Sequence, residues 1–161
     1  MQNVTARTGN PALREGLTFG IGLGVVETIL SIIDQYARLG LIMTLIELIV
    51  AVVAFWLAGS RASRQTGSVG TGAVAGLLTG LISAIITFAI SMTFVVLQAD
   101  SLRQAAQNAA NQTHLSVQYT NGMVIGGAVV GYVILAVLLL AIGAAVGAIA
   151  GAVSRNRTAT V

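Results

Sequence analysis

The stretch Gly16–Ala58, GLTFGIGLGVVETILSIIDQYARLGLIMTLIELIVAVVAFWLA, decides the fold. Its two arms, GLTFGIGLGVVETILSII and LGLIMTLIELIVAVVAFWLA, approach or reach the roughly 20 helical residues that cross the hydrocarbon of a bilayer, and a short polar turn joins them. In lipid every backbone amide and carbonyl must find its partner within the segment, so such runs are helices. Each arm holds one carboxylic acid. Glu27 lies ten residues before Ala37 in the turn and Glu47 ten residues after it, so a helical hairpin brings both to nearly the same depth. No Lys, Arg or His lies within the apolar runs to neutralise them.

Composition extends this reading to the whole chain. The 161 residues are 56% hydrophobic and 8% charged, with a mean hydropathy of +0.91; soluble domains carry about 25% charged residues. Two further apolar runs follow, Val69–Leu97 and Met123–Val153. The expected fold is all-α, a polytopic integral membrane protein whose four transmembrane helices cover about 13–36, 39–59, 69–98 and 122–153 of the sequence. Residues 1–10 are expected to form a flexible cytoplasmic N-terminus, 154–161 a cytoplasmic tail and 99–121 a polar outer loop. Asn10-Pro11 reads as the start of the first helix, with Asn as cap and Pro at the first helical position. The Ala- and Gln-rich start of the loop extends the third helix to about Asn108 or Asn111.

All eight basic residues are arginines. Arg7, Arg14, Arg61, Arg64, Arg155 and Arg157 fall on one side of a four-span chain, and Arg38 and Arg103 on the other. This bias places both termini in the cytoplasm, and the compactness of the chain suggests a prokaryotic cytoplasmic (inner) membrane. The few acids explain the high pI without any nucleic-acid partner. With no Cys and a single His, disulfides, thiol catalysis and a Cys- or His-based metal cluster are excluded. Gly70-Thr71-Gly72-Ala73-Val74-Ala75 fits a dinucleotide-binding pattern, but it opens an apolar helix where that pattern needs a βαβ unit. No enzyme activity, cofactor or metal is expected.

Glycines recur every fourth residue: Gly16, Gly20 and Gly24; Gly72, Gly76 and Gly80; Gly143, Gly147 and Gly151. This spacing lines one helix face and lets neighbouring backbones approach closely. Glu27 and Ser31 continue the first seam, and Ser83, Thr87 and Ser91 continue the second, so that Ser83 corresponds to Glu27. Gly40, Thr44, Ala51, Ala54 and Ala58 form a small-residue seam around Glu47. Gly127 and Gly131 lie on the face of the fourth span opposite the Gly143 series, which suggests contact with two neighbours, one of them in another subunit. The Ser-Arg endings of the second and fourth spans suggest a duplicated hairpin.

An ionised acid at mid-bilayer costs about 3 kcal/mol on insertion scales, so Glu27 and Glu47 should face protein or water. Two readings follow. In the first, the chain is the protomer of a small oligomeric channel or transporter that handles protons or cations at a paired-carboxylate site, with Glu27, Glu47, Ser31 and Thr44 as its ligands. In the second, it is a non-catalytic structural or accessory subunit. Its glycine seams then pack against partner helices in the lipid bilayer, and its glutamates bond across helices.

Overall fold

Asn10 starts the first helix as its side chain predicts. The Ala12 amide donates to Asn10 Oδ1 at 3.0 Å, and Pro11 stands where no amide bond is lost. The computed structural model describes residues 9–37, 39–114 and 116–158, with side chains through Ser154. Within them the chain is all-helical: α1 (Pro11–Ala37), α2 (Leu41–Thr66), α3 (Val69–Leu97), α4 (Ala99–Gln112) and α5 (Asn121–Thr158). All but α4 are long and apolar enough to cross a membrane. Residues 1–8 of the flexible start expected at 1–10, Arg38, the side chains of Arg155 and Arg157, and the last residues of the tail lie outside the described residues.

Two glycines make the tight turns. Gly40 (φ +52°) lies in the left-handed region between α1 and α2, and its amide donates to Asp34 Oδ1 at 2.8 Å. Gly67 (φ +70°) closes α2 by donating its amide to the Ser63 carbonyl at 2.7 Å. α2 therefore runs to Thr66, seven residues beyond the end expected for the membrane span itself at 59. The polar-looking extension is helical because Ser60, Ala62 and Ser63 are buried against neighbouring helices.

The third helix ends earlier than expected. α3 stops at Leu97, Gln98 leaves helical geometry (φ −106°, ψ 13°), and α4 starts afresh at Ala99. A separate helix lets Ala99 and Ala110 turn to a buried face, which straight continuation into water would expose. Asn121 Nδ2 donates to Asp100 Oδ1 at 2.9 Å, and the Tyr119 amide donates to Gln107 Oε1 at 2.9 Å, tying α4 to the start of α5. The expected polar loop is thus largely a helix pinned across its own return.

α2 and α3 form the middle of the bundle, each touching α1 and α5 as well as each other, whereas α1 and α5 do not touch among the described residues. A two-fold exchange of α1 with α3 and α2 with α5 would require an α1–α5 contact equivalent to the one between α3 and α2. The two hairpins are therefore not packed as symmetric copies.

The glycine seams set the helix spacing. A Cβ on Gly16 would stand 2.6 Å from Leu78 Cβ, and one on Gly20 2.7 Å from Ile82 Cβ, so α1 and α3 run side by side in the same direction. α3 and α5 run antiparallel: Gly72 and Gly147 each face the other's carbonyl oxygen, and so do Gly76 and Gly143. These reciprocal approaches suit paired Cα–H···O contacts, worth perhaps ~0.5–1 kcal/mol each. Gly59 of α2 joins them, since a Cβ there would lie 2.5 Å from Gly147 Cα.

The resulting core is built from Ala12, Ala51, Ala58, Ala62, Ala75, Ser63, Thr79 and Ser83, with Phe55 as its largest wholly buried side chain. The long aliphatic residues, among them Leu17, Ile29, Ile49, Val74, Ile85 and Leu138, are exposed on the outside of the bundle. Small residues inside and large apolar ones outside is the distribution expected of helices packed in lipid.

The tight glycine contacts among the described residues lie toward one end. Define the terminal end as that where α1 begins and α5 finishes. On α5, Gly143, Gly147 and Gly151 at that end are buried, but nothing lies within 4 Å of a Cβ placed on Gly127 or Gly131 toward the α4 end. The packing expected at Gly127 and Gly131 thus has no partner among this chain's described residues, in keeping with their place on the face of α5 opposite Gly143.

Candidate functional site

Glu27 sits one turn above the last glycine of the α1 seam, where close packing gives way. Because α1 and α3 run in register, the Glu27 side chain meets its counterpart on the facing seam. The Ser83 hydroxyl donates to Glu27 Oε2, and the Thr87 hydroxyl donates to the same oxygen at 3.2 Å. Ser83 is wholly buried and Glu27 half-buried. These are interhelical bonds, of the kind worth about 0.6 kcal/mol on average in membrane bundles.

Glu47 comes from the antiparallel arm and reaches the same region from α2. Its carboxyl has no hydrogen-bond partner among the described residues, and it is half-buried. Both acids line a single cleft of about 690 Å³ to which all four long helices contribute. Ser31, Thr44, Thr87 and Ser91 also line it, as does the phenol-bearing Tyr132 of α5. The rest of the wall is apolar, including Leu81, Ile85, Phe88, Leu138 and Leu139. No basic side chain is among the lining residues.

The four residues read from the sequence as ligands, Glu27, Glu47, Ser31 and Thr44, thus share this cleft. They differ in readiness to bind. The Thr44 hydroxyl already donates to its own helix, to the Gly40 carbonyl at 3.3 Å, and Ser31 is exposed. Two hydrogen-bond acceptors close in height, backed by hydroxyls and surrounded by apolar walls, can hold a proton or a cation without a protein counter-charge. No group of three or more His, Cys, Asp or Glu residues gathers among the described residues.

Three features escaped the sequence reading. Tyr132 lies inside an apolar run, and its ring meets Phe88 edge-on at 6.0 Å between centroids; a tyrosine this far from a span's end was the available signal. Gln35 and Gln98, at the ends of the expected first and third spans, line a second cavity of about 240 Å³ together with Thr28, Ser31, Ser91 and Tyr132. Glu15 is buried near the terminal end, where Arg14 donates to it at 2.8 Å and Gln65 at 3.0 Å. The adjacent Arg14-Glu15 pair marked it in sequence. Arg61 places its guanidinium 5.1 Å from the Phe19 ring centroid.

Comparison of the chain with protein-family models, with curated proteins and with solved structures finds no match.

Proposed function

We propose that this chain is an integral membrane protein that carries protons or small cations, with Glu27 and Glu47 as the paired-carboxylate site. The observation behind this reading is Glu47. A carboxyl that faces a cleft at mid-span with no hydrogen-bond partner is expensive unless it takes a proton or a cation. Interhelical bonding accounts for Glu27, which Ser83 and Thr87 satisfy, but it does not account for Glu47.

The arginine bias supports a cytoplasmic placement of both termini, with Arg61 and Arg64 exposed on the same end. A prokaryotic inner membrane suits the compact chain. The open faces at Gly127 and Gly131 suit a homo-oligomer or a partner membrane helix, since the close approach that glycine permits is unused within the chain.

The accessory-subunit reading is favoured by the Glu27–Ser83–Thr87 bonds, which would serve as interhelical ties in any packing module. Flux measurements separate the two. In proteoliposomes, wild type should move protons, Na⁺ or K⁺, and Glu27→Gln and Glu47→Gln should each abolish that flux while folding alike. Absence of flux for every ion tested in wild type, with all three proteins equally stable, would leave the accessory role.

A further inference from the structure

We infer that the Glu27–Glu47 site opens to water only from the α4 end, so that the protein works as a carrier with one-sided access and not as an open pore. This deepens the proposed function and rests on the carboxyl cleft being its ion site.

The inference rests on what lies on either side of Glu27. Toward the α4 end, the carboxyl cleft and the smaller cavity share Ser31, Ser91 and Tyr132. The smaller cavity reaches from Thr28, beside Glu27, past Ser31 and Gln35 to Gln98, the residue at which α3 breaks into α4. Its volume of about 240 Å³ accommodates several waters, each taking roughly 30 Å³ in the liquid. The hydroxyls of Ser31 and Ser91, the Tyr132 phenol and the two Gln amides provide the polar partners that buried water needs. Ser31, Ser91 and Tyr132 therefore form the neck between the carboxyls and the outlet, and the edge-on contact with Phe88 holds the Tyr132 ring there.

Toward the terminal end the path stops. Leu23, Ala51 and Phe55 form a buried apolar cluster, and Thr79 and Ser83 have no exposed surface. Thr79 donates its hydroxyl to the Ala75 carbonyl at 2.9 Å, leaving that hydrogen unavailable to a passing water. Beyond it, Gly59, Gly72, Gly76, Gly143 and Gly147 bring three helix backbones into direct contact. Neither cavity includes any of these sealing residues except Ala51, which forms the floor of the larger one. An ion bound at the carboxyls can leave toward the terminal end only if the glycine-packed half separates. The seams that hold the fold together are thus also the inner gate.

Because the chain has no cysteine, single cysteines report access directly. Gln98→Cys, Ser91→Cys and Thr79→Cys would be placed in the full chain in sealed proteoliposomes. Each would be treated with a membrane-impermeant cationic methanethiosulfonate from either face. Gln98→Cys identifies the α4 face. Ser91→Cys should label from that face alone, and Thr79→Cys should label from either face about a hundredfold more slowly, since its exposure requires local opening. Labelling of Ser91→Cys from the opposite face, its failure to label from both, or a rate at Thr79→Cys matching that at Ser91→Cys would each overturn the inference. Ser91→Ala with retained stability checks that the neck tolerates substitution. Labelling does not require transport, so one-sided access can stand or fall separately from the proposed ion movement.

Discussion

Gly143→Ala should be among the most damaging single-methyl additions this protein can receive. The new Cβ would stand 2.6 Å from the Gly76 carbonyl oxygen, 3.2 Å from its carbon and 3.3 Å from Phe55 Cε1. A comfortable carbon–oxygen contact needs about 3.3 Å or more. α3 and α5 must therefore separate by several tenths of an ångström at that level. The obstacle is backbone, so no side-chain rotation relieves it. Overpacking of this type costs about 1–3 kcal/mol, and separation weakens the reciprocal Cα–H···O approaches by up to about 1 kcal/mol each. Alanine's better helix propensity returns about 0.5–1 kcal/mol. The net expectation is a loss of about 2–3 kcal/mol. Gly131→Ala is the internal control: it lies on the same helix with nothing within 4 Å, and only the propensity gain applies. Reversible unfolding by SDS in mixed micelles, followed by circular dichroism at dilution where the chain is monomeric, measures both. Equal stability of the two variants, or a more stable Gly143→Ala, would refute the reasoning.

Glu47→Leu should stabilise the fold by about 1–3 kcal/mol in the same unfolding assay while abolishing flux, because it removes an unpartnered carboxyl from an apolar-walled cleft; a loss of stability would show that Glu47 has a structural partner. Glu27→Leu should instead destabilise by about 1–2 kcal/mol, since the buried Ser83 hydroxyl loses its acceptor, and Glu27→Gln should restore most of that loss. Gly40→Ala should cost about 1–2 kcal/mol through its left-handed backbone (φ +52°) and should leave Ser91→Cys labelling unchanged. Glu15→Leu should lower stability by about 1 kcal/mol by removing the bonds that Arg14 and Gln65 donate to it, with flux intact because Glu15 lies outside the cleft.

Hydropathy by itself determined the class and most of the architecture. Four apolar runs with few charges admit little besides helices in lipid, because the backbone has no other way to satisfy its polar groups there. The four-residue glycine spacing in three runs was also legible as close helix contact, and Glu27 and Glu47 stood out because an acid in an apolar run must be compensated. Local signals placed the start of α1 at Asn10-Pro11, since capping depends on neighbouring residues alone. The same local reading did not mark that α2 continues as helix to Thr66, and it ran α3 past Gln98. Each boundary was decided by burial against another helix, of Ser60 and Ser63 in one case and of Ala99 and Ala110 in the other.

Only the tertiary structure decided which seams meet. Periodicity fixes a face on each helix but not the neighbour that the face turns to, so nothing in the sequence paired Gly72 with Gly147 or set Glu27 against Ser83. The confinement of the tight glycine contacts to the terminal half was equally hidden. Gly127 and Gly143 carry the same local signal, yet one is in open space and the other against a backbone. The two glycines lie on opposite faces of α5, and only the neighbours of each face decide which is packed; the two acids sit where the packed glycines give way to the cleft.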